Sequence, residues 1–173
     1  NVLMLAVLYG NSECITILHD IYKDKLDCNI LSGSKLNVLM LAALHGHADC
    51  IKVLHDIYND KLDCTATNNY YSSTVLMFAA ESGNPECIKV LHEIYGDKIE
   101  CNAINCIKVN ALMLAALRGK DSCIKTLYEI YGDKISCTAV DYNKCSILMH
   151  AAASGNDECI KTLHQIYGTK IDP

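Results

Sequence analysis

Cysteine and histidine are the residues of this 173-residue sequence whose chemistry would allow metal binding. The chain contains 11 cysteines and seven histidines. A cysteine precedes a histidine by five positions four times: Cys14 and His19, Cys50 and His55, Cys87 and His92, Cys159 and His164. Five helical positions correspond to a rotation of about 140°, so the two side chains of each pair would diverge. With no Cys-x-x-Cys present, we expect no metal site and no cofactor.

The spacing of the cysteines instead indicates a structural role. Nine of them recur periodically: Cys14, Cys50, Cys87, Cys123, Cys159, and Cys28, Cys64, Cys101, Cys137. A free cysteine packs like a small buried hydrophobe, so these nine are expected in the core. Cys106 and Cys145 break the period and are expected to be the most exposed thiols. An odd number of cysteines in a chain too large to need disulfides favours a reducing, cytoplasmic or otherwise intracellular compartment.

Motifs of catalysis are missing from the sequence. It contains no glycine-rich phosphate loop, no Gly-x-Ser-x-Gly, and no His-x-Glu with paired cysteines. Carboxylates such as Asp20, Asp56 and Glu93 recur with the period, which marks them as part of a scaffold. The net charge of −5 argues against nucleic-acid binding, and no apolar run reaches the roughly 18–20 residues that would span a membrane. We therefore predict a protein that is not an enzyme.

Periodic aromatic residues follow the cysteines. One position holds His19, His55, His92, Tyr128 and His164, and an Ile-Tyr pair ends at Tyr22, Tyr58, Tyr95, Tyr131 and Tyr167. The histidine series is predicted to be a solvated row on the outer face. A pH-sensitive or partner-contacting strip is the alternative, because histidine titrates near neutrality. The tyrosine rings are expected to pack between helices with their hydroxyls towards water.

Internal repetition explains these periods. Five similar segments begin at Asn1, Asn37, Thr74, Asn110 and Ser146, with spacings of 36, 37, 36 and 36 residues. A glycine follows each start by nine residues: Gly10, Gly46, Gly83, Gly119 and Gly155. Agreement at so many positions in five copies predicts a single array of five units. Repeats 1 to 5 are residues 1–36, 37–73, 74–109, 110–145 and 146–173.

Each repeat is predicted to form a helix, a turn, a second helix and an extended loop. Asn37 and its equivalents are good N-cap residues for a short first helix. Asn84-Pro85-Glu86 is typical of the start of a second helix, with asparagine at the N-cap and proline at the first helical position. Along such a helix the apolar residues form one stripe: Cys50, Ile51, Leu54, Ile57 and Tyr58. Neither helix could bury its stripe alone, so we predict an all-α solenoid of stacked pairs.

The repeat resembles the ankyrin repeat over the whole chain. Residues 37–43, Gly46-His47 and Asp63-Cys64 occupy the places of that family's conserved segments. The resemblance implies stacked helix-turn-helix repeats, extended or β-hairpin loops called fingers, and a concave groove in which partner proteins dock. Val38 and Met40 replace the family's proline and histidine, so we expect methionine packing in place of the histidine's hydrogen bonds.

The 36-residue period is longer than the family's 33-residue unit. The three extra residues fall at the end of the second helix, where they would add close to one turn. Tetratricopeptide, HEAT and armadillo arrays are the alternative architectures for longer helix pairs. The tetratricopeptide tryptophan is missing and HEAT units are longer, whereas finger length and the Ala42-Ala43 pair favour an ankyrin-like array.

Positions that differ between repeats are the candidates for recognition. They are the two residues that end each first helix and the fingers, and both line the groove in the family that the chain resembles. Tyrosine and arginine are enriched at binding hot spots. Ile104, Ile107 and Val109 could instead simply pack within the fingers. We predict partner contacts at Tyr9, His45, Tyr70, Tyr71, Glu81, Ile107, Arg118 and Tyr142.

The predicted function is a protein-binding scaffold, and the alternative is a structural spacer or self-assembling solenoid segment. The two end repeats support that alternative. Val2 and Leu5 at one end, and Ile147 and Ile160 at the other, are as apolar as their inner counterparts. We expect the array to be part of a longer one, and expect an isolated chain to fray at its ends or to self-associate end to end.

Overall fold

The structure is a computed structural model that describes residues 1–171, except for the side chain of Asp24. Over these residues the fold is built from ten α-helices. The first helices are α1 (Val2–Leu8), α3 (Val38–Leu44), α5 (Val75–Ser82), α7 (Ala111–Leu117) and α9 (Ile147–Ser154). The second helices are α2 (Ser12–Tyr22), α4 (Ala48–Tyr58), α6 (Pro85–Tyr95), α8 (Asp121–Tyr131) and α10 (Asp157–Tyr167). First helices pack on first helices and second on second, which makes the predicted all-α solenoid. No helix among the described residues is long and apolar enough to cross a bilayer.

The first helices begin at the predicted N-cap residues. Asn37 Oδ1 accepts a hydrogen bond from the backbone N–H of Met40 at 2.8 Å, satisfying a donor that the helix start leaves free. The amide of the same side chain donates to the carbonyl of Asp63 at 3.2 Å, at the far end of the same repeat. Asn110 makes the equivalent bonds in repeat 4. In repeats 2 and 4 these asparagines therefore tie the start of the first helix to the segment that precedes the finger.

Each second helix is followed by a 3₁₀ turn. The three residues by which the repeat exceeds the 33-residue ankyrin unit therefore form this tighter turn and not the predicted extra turn of α-helix. After Tyr95 the chain enters the left-handed region at Gly96, with φ of 50°, and residues Gly96–Lys98 form the 3₁₀ turn. Glycine adopts this backbone without a steric penalty. Two repeats place Lys23 and Asn59 in the same conformation. The reversal of φ ends the α-helical hydrogen-bonding pattern, which is why the helix is not extended.

The core runs through the whole stack. Met40, Met77 and Met113 are buried at the positions predicted for them, and Leu54 and Leu91 are fully buried on the second helices. Four of the second-helix cysteines, Cys50, Cys87, Cys123 and Cys159, are also buried, as predicted. Burial raises the pKa of the Cys87 thiol to about 12. These cysteines therefore recur because each repeat packs a small side chain at the same place in the core.

Four cysteines differ from the prediction. Cys14 is exposed because, within the described residues, no second helix packs against that side of α2, whereas its counterparts are covered by the preceding repeat. Cys101 and Cys137 are half-buried rather than buried. Cys145 is half-buried rather than exposed, whereas Cys106 is exposed as predicted. Position within the stack thus decides exposure as much as position within the repeat.

In repeats 1 to 3 the histidines of the predicted solvated row are instead packed on tyrosines of the next repeat, whereas His164 is exposed as predicted. His19 meets Tyr58 edge to face with ring centroids 5.6 Å apart. The same contact recurs in His55 with Tyr95, His92 with Tyr131, and Tyr128 with Tyr167. The predicted exposure of the tyrosine hydroxyls is wrong for Tyr58, Tyr95, Tyr131 and Tyr167, whose hydroxyls are buried without a hydrogen-bond partner among the described residues. Burial raises the pKa of Tyr95 and Tyr131 to about 12.

The fingers are compact turns. Of the β-hairpins expected in them, the described residues show one β-bridge, between Thr67 and Thr74. A polar side chain organises each finger by accepting a backbone N–H four or five residues later. These side chains are Ser32, Asn68, Asn105 and Asp141. Successive fingers are joined where Cys106 N donates to Tyr71 O at 2.8 Å and Tyr142 N donates to Ile107 O at 3.0 Å.

Contacts between neighbouring repeats alternate along the stack. Where an even-numbered repeat meets the next odd-numbered one, an asparagine amide donates to a glycine carbonyl: Asn84 to Gly46 at 2.7 Å and Asn156 to Gly119 at 2.8 Å. The other junctions use long side chains. His47 Nε2 lies 3.1 Å from the Leu8 carbonyl, and the Lys120 chain packs on Gly83, where an added Cβ would lie 2.8 Å from Lys120 Cδ.

Candidate partner-binding groove

A groove separates the fingers of repeats 1 to 3 from the first helices α3, α5 and α7. It forms a depression of about 560 Å³. Leu44, Phe78, Leu114 and Leu117 supply apolar side chains from the three helices, and Leu36 supplies one from the first finger. The short first helices end in variable residues beside this floor. An apolar floor flanked by polar groups is the usual composition of a recognition site.

Five of the eight residues predicted to contact a partner line this groove. They are Tyr70, Tyr71, Glu81, Ile107 and Arg118. Tyr70 and Tyr71 occupy the tip of the second finger and are 69% and 58% exposed. The backbone of Tyr71 is held by its hydrogen bond from Cys106, so the tip is fixed although the rings are exposed. A rigid backbone with exposed aromatic rings lowers the ordering cost of binding.

The other three predicted residues lie elsewhere. His45 lines an adjoining depression of about 880 Å³ over repeats 1 and 2, which shares Leu36 and Leu44 with the groove. Tyr142 lies at the tip of the fourth finger, where Lys108 Nζ is 5.6 Å from its ring centroid. Tyr9 lies apart from the groove, beside Val2, Leu5 and Ile17 on the free end of repeat 1. The predicted set therefore divides between the groove, its two extensions along the fingers and helices, and the end face.

One ion pair crosses between repeats beside the groove. Arg118, which follows α7, donates from Nε at 2.9 Å and from Nη2 at 2.5 Å to Glu81 Oε1 on α5. The Arg118 side chain is half exposed, so solvent screens the pair. The pair fixes the direction of the guanidinium.

Several groove residues were not predicted from the sequence. Phe78 and Leu114 occupy one repeat position, at which α3 and α9 carry Leu41 and His150. Their side chains are nearly buried, and a residue that appears to belong to the core pattern gives no sign of a groove floor. The single phenylalanine of the chain, at a position that otherwise holds leucine or histidine, was the available signal.

His150 forms a buried pair that was also not predicted. Its Nε2 lies 3.4 Å from Asp141 Oδ2 of the fourth finger, and both side chains are more than nine-tenths buried. Asp141 Oδ1 accepts from the backbone N–H groups of Cys145 and Asn143 at 2.8 Å. A histidine within the apolar run of a first helix was the signal. The pair brings the fourth finger into contact with α9.

No group of three or more histidine, cysteine or acidic side chains in the described residues is arranged to hold a metal ion. Burial raises the pKa of the Cys50 and Cys123 thiols to about 11, which disfavours the thiolate that metal binding and nucleophilic attack require. The groove residues include no nucleophile beside a base. The arrangement can bind by packing, hydrogen bonding and charge.

Comparison with known families gives one match. A family model described as ankyrin repeats in three copies matches residues 3–105 and again residues 76–173. The two matched ranges overlap within repeat 3 and together cover almost all of the chain. No curated protein matches the sequence.

Proposed function

The chain belongs to the ankyrin repeat family, and on this premise we propose that it is a protein-binding module whose partner docks in the groove between the fingers and the first helices. Ankyrin repeats are generally protein–protein interaction modules. The partner contacts are assigned to Tyr70, Tyr71, Glu81, Ile107 and Arg118 in the groove, with His45 and Tyr142 as extensions on either side. No catalytic role is proposed.

The observation that carries this proposal is the grouping of variable, exposed side chains over an apolar floor. Within a stack whose shared residues are buried, Tyr70, Tyr71 and Ile107 remain exposed, and Arg118 stands beside them. Such residues are the usual anchors of interfaces. Their backbones are held by hydrogen bonds between fingers, so the anchors are positioned before a partner arrives. The interaction is proposed to occur in a reducing compartment, consistent with the free state of all 11 cysteines.

A comparative capture experiment tests the proposal. The immobilised chain and a variant carrying Tyr71→Ala with Arg118→Ala are exposed to a lysate of the source cell. A matched control carries Lys89→Ala with Lys125→Ala on the exposed side of the second helices. We expect at least one protein to be retained by the wild type and the control, and lost from the groove variant. Purified, it should bind the groove variant at least tenfold more weakly. Identical retention by all three chains would contradict the assignment of the groove.

Self-association end to end is a second candidate, because the ring contacts between repeats leave complementary residues at the two ends. Tyr22 is half exposed and has no histidine ring facing it, and His164 has no tyrosine, among the residues that the structure describes. A second copy could supply the missing ring at each end. This candidate ranks second because the new junction would join repeat 5 of one copy to repeat 1 of the next. Both repeats are odd-numbered, whereas every internal junction joins an odd-numbered repeat to an even-numbered one.

Sedimentation equilibrium over a range of concentrations distinguishes this candidate from the first. Self-association predicts that the mass rises with concentration. It also predicts that Tyr22→Ala weakens the assembly while Tyr142→Ala, at a more exposed tyrosine on a finger, does not. A constant monomer mass up to high micromolar concentration would exclude it and would leave the groove proposal unaffected.

A further inference from the structure

Charge is divided unequally between the two sides of the repeat. One side consists of the first helices and the fingers: residues 1–9, 29–45, 65–82, 102–118 and 138–154. It carries four basic residues, Lys35, Lys108, Arg118 and Lys144, and two acidic ones, Glu81 and Asp141. Its formal charge is therefore +2 in a chain of net charge −5, which leaves −7 on the second helices and the turns around them. The side that contains the groove is positive on an otherwise acidic protein.

The two acidic residues on this side are already engaged. Glu81 accepts the hydrogen bonds of Arg118, and Asp141 is buried against His150 and backbone N–H groups. Lys35, Lys108 and Lys144 are exposed and form no ion pair within the described residues. The positive charge of the groove side is thus concentrated on these three lysines, which we call the finger lysines.

The finger lysines occupy one equivalent position in three of the four fingers. Each lies two residues before the residue that caps the next first helix, and the second finger, which is one residue longer, has Ser72 there. Their φ angles are 60°, 61° and 64°, in the left-handed region where glycine and asparagine are the favoured residues. Lysine is not selected by this backbone, so its recurrence there points to a use for the ammonium group.

Resting on the function proposed above, we propose that the partner of the groove is an extended acidic peptide segment, with apolar side chains seated on the floor at Leu44 and Leu117 and carboxylates facing the finger lysines. Charge complementarity supplies the occupant: Lys35 and Lys108 are sequence neighbours of the groove-lining residues Leu36 and Ile107, and their charges attract carboxylates and repel basic segments. The exposed Tyr70 and Tyr71, which line the groove, can pack on the apolar side chains of the same segment.

The repeat spacing sets the pattern of such a segment. Packed helices lie about 8–10 Å apart, so we expect equivalent backbone positions in neighbouring fingers, such as those of Lys108 and Lys144, to be separated by roughly that distance. An extended peptide advances about 3.3 Å per residue. Acidic residues at every third position of the peptide would therefore meet successive fingers. The peptide position that meets the second finger need not be acidic, because that finger carries Ser72 instead of a lysine.

A nucleic acid is the other polyanion that a row of lysines could attract, and the rest of the molecule disfavours it. The remaining surface carries −7, which repels a long phosphate backbone, and the floor beside the lysines is apolar. Nucleic-acid sites usually show dense basic patches rather than one lysine per finger. A short peptide with mixed acidic and apolar side chains suits both parts of the groove.

Selection from a random 12-residue peptide library displayed on phage tests the inference. The baits are the wild-type chain, the variant Lys35→Glu with Lys108→Glu and Lys144→Glu, the groove variant Tyr71→Ala with Arg118→Ala, and a charge-matched control. That control carries Lys89→Glu with Lys125→Glu and Lys161→Glu on the second helices. Circular dichroism and thermal melting establish that each bait is folded. A 20-nucleotide single-stranded DNA is measured in parallel.

We expect the wild type and the charge-matched control to enrich acidic peptides with apolar residues. The best peptide should bind the finger-lysine variant at least tenfold more weakly than it binds the wild type. A synthetic analogue with amides in place of its carboxylates should bind the wild type at least tenfold more weakly than the original peptide does. The affinity should fall with added salt. Neutral or basic peptides that depend on Tyr71 and Arg118 would overturn this inference and leave the groove proposal standing. A lack of groove-dependent peptides would overturn both, and tighter binding of the DNA would replace the peptide with a nucleic acid.

Discussion

Arg118 reaches back one repeat to Glu81, so that its Nε and Nη2 both donate to one carboxylate oxygen 37 residues earlier in the chain. The contact joins the acidic residue and the arginine that occur at the ends of first helices, where the other repeats have neither. It lies beside the groove floor, with both side chains accessible to a ligand. A bond of this kind orients a guanidinium for recognition and adds little to folding.

The stability of the chain is therefore expected to depend only slightly on this pair. Arg118→Ala should lower the free energy of unfolding by less than about 1 kcal/mol, because solvent screens an exposed ion pair. Urea unfolding of the single variants and of the double variant with Glu81→Gln gives the coupling energy. A coupling above about 2 kcal/mol would show that the pair is structural.

Packing of the second helices is a much larger contribution. Leu54→Ala or Leu91→Ala should each cost about 2–5 kcal/mol, the usual range for a fully buried leucine. Ile17→Ala is a suitable control, because that side chain is 56% exposed at the free side of α2 and should cost much less. Similar losses at Leu54 and Ile17, measured by urea unfolding, would contradict the packing described for α4.

Thiol accessibility should follow the position of each repeat in the stack. Native chain treated with a thiol reagent should react first at Cys14 and Cys106, more slowly at Cys145, and last at Cys50, Cys87 and Cys123. Burial and the raised pKa of the inner thiols both slow the reaction. Peptide mapping at successive times measures the order, and equal rates at Cys14 and Cys50 would refute it.

Alkaline pH should destabilise the fold through the buried thiols and phenols. Burial raises the pKa of Cys87 from 9.0 to about 12, so above pH 9 the unfolded chain releases a proton that the folded chain retains. The stabilisation is complete below pH 9 and is lost as the pH rises towards 12, by up to about 1.4 kcal/mol per pH unit for each such group. Tyr95 and Tyr131 act in the same direction from 10.0 upwards.

The contribution of Cys87 can be isolated from the slope of stability against pH. Urea unfolding between pH 9 and 10.5 should show a shallower decline for Cys87→Ala than for the wild type. Ile17→Ala, which removes no ionisable group, should keep the wild-type slope. The slopes rather than the absolute free energies are compared, because removing a buried sulfur also costs packing. An unchanged slope in Cys87→Ala would contradict the raised pKa.

Hydrogen exchange should be fastest in repeat 1. Val2, Leu5, Ile17 and Ile21 are exposed there, whereas the inner repeats are covered on both sides. A repeat with one neighbour has one stabilising interface instead of two, so α1 and α2 should open more easily than α5 and α6. Mass spectrometry of a dilute monomer measures this order. Equal protection of α2 and α6 would count against it.

The sequence predicted those features that are set within one repeat. Asn37 caps its helix because the donor is three residues away, and the Met40 position is buried because the helical stripe places it there. The five helix pairs, the second-helix starts and most buried cysteines follow from the same local rules. Five of the eight residues predicted to contact a partner line the groove, since variation between otherwise equivalent copies marks positions that the scaffold does not need; that they bind a partner stays a prediction.

Contacts between repeats could not be predicted in the same way. His19 packs on Tyr58, 39 residues away, and this pairing depends on the offset with which one second helix stacks on the next. A side chain that looks solvated on a single helix is covered once a neighbour is added. The Asp141 and His150 pair, and the hydrogen bonds between finger tips, likewise arise from stacking and leave little trace in the spacing of residues.

The alternation of contacts at the junctions has a consequence for how such an array can evolve. Loss of repeat 3 alone would bring Lys120 onto Gly46, whose carbonyl is suited to the asparagine amide that it now receives. Loss of repeats 3 and 4 together would bring Asn156 onto Gly46, a contact of the kind that it already makes with Gly119. Duplication and deletion in the gene should therefore be tolerated best in steps of two repeats, which makes the pair the heritable building block.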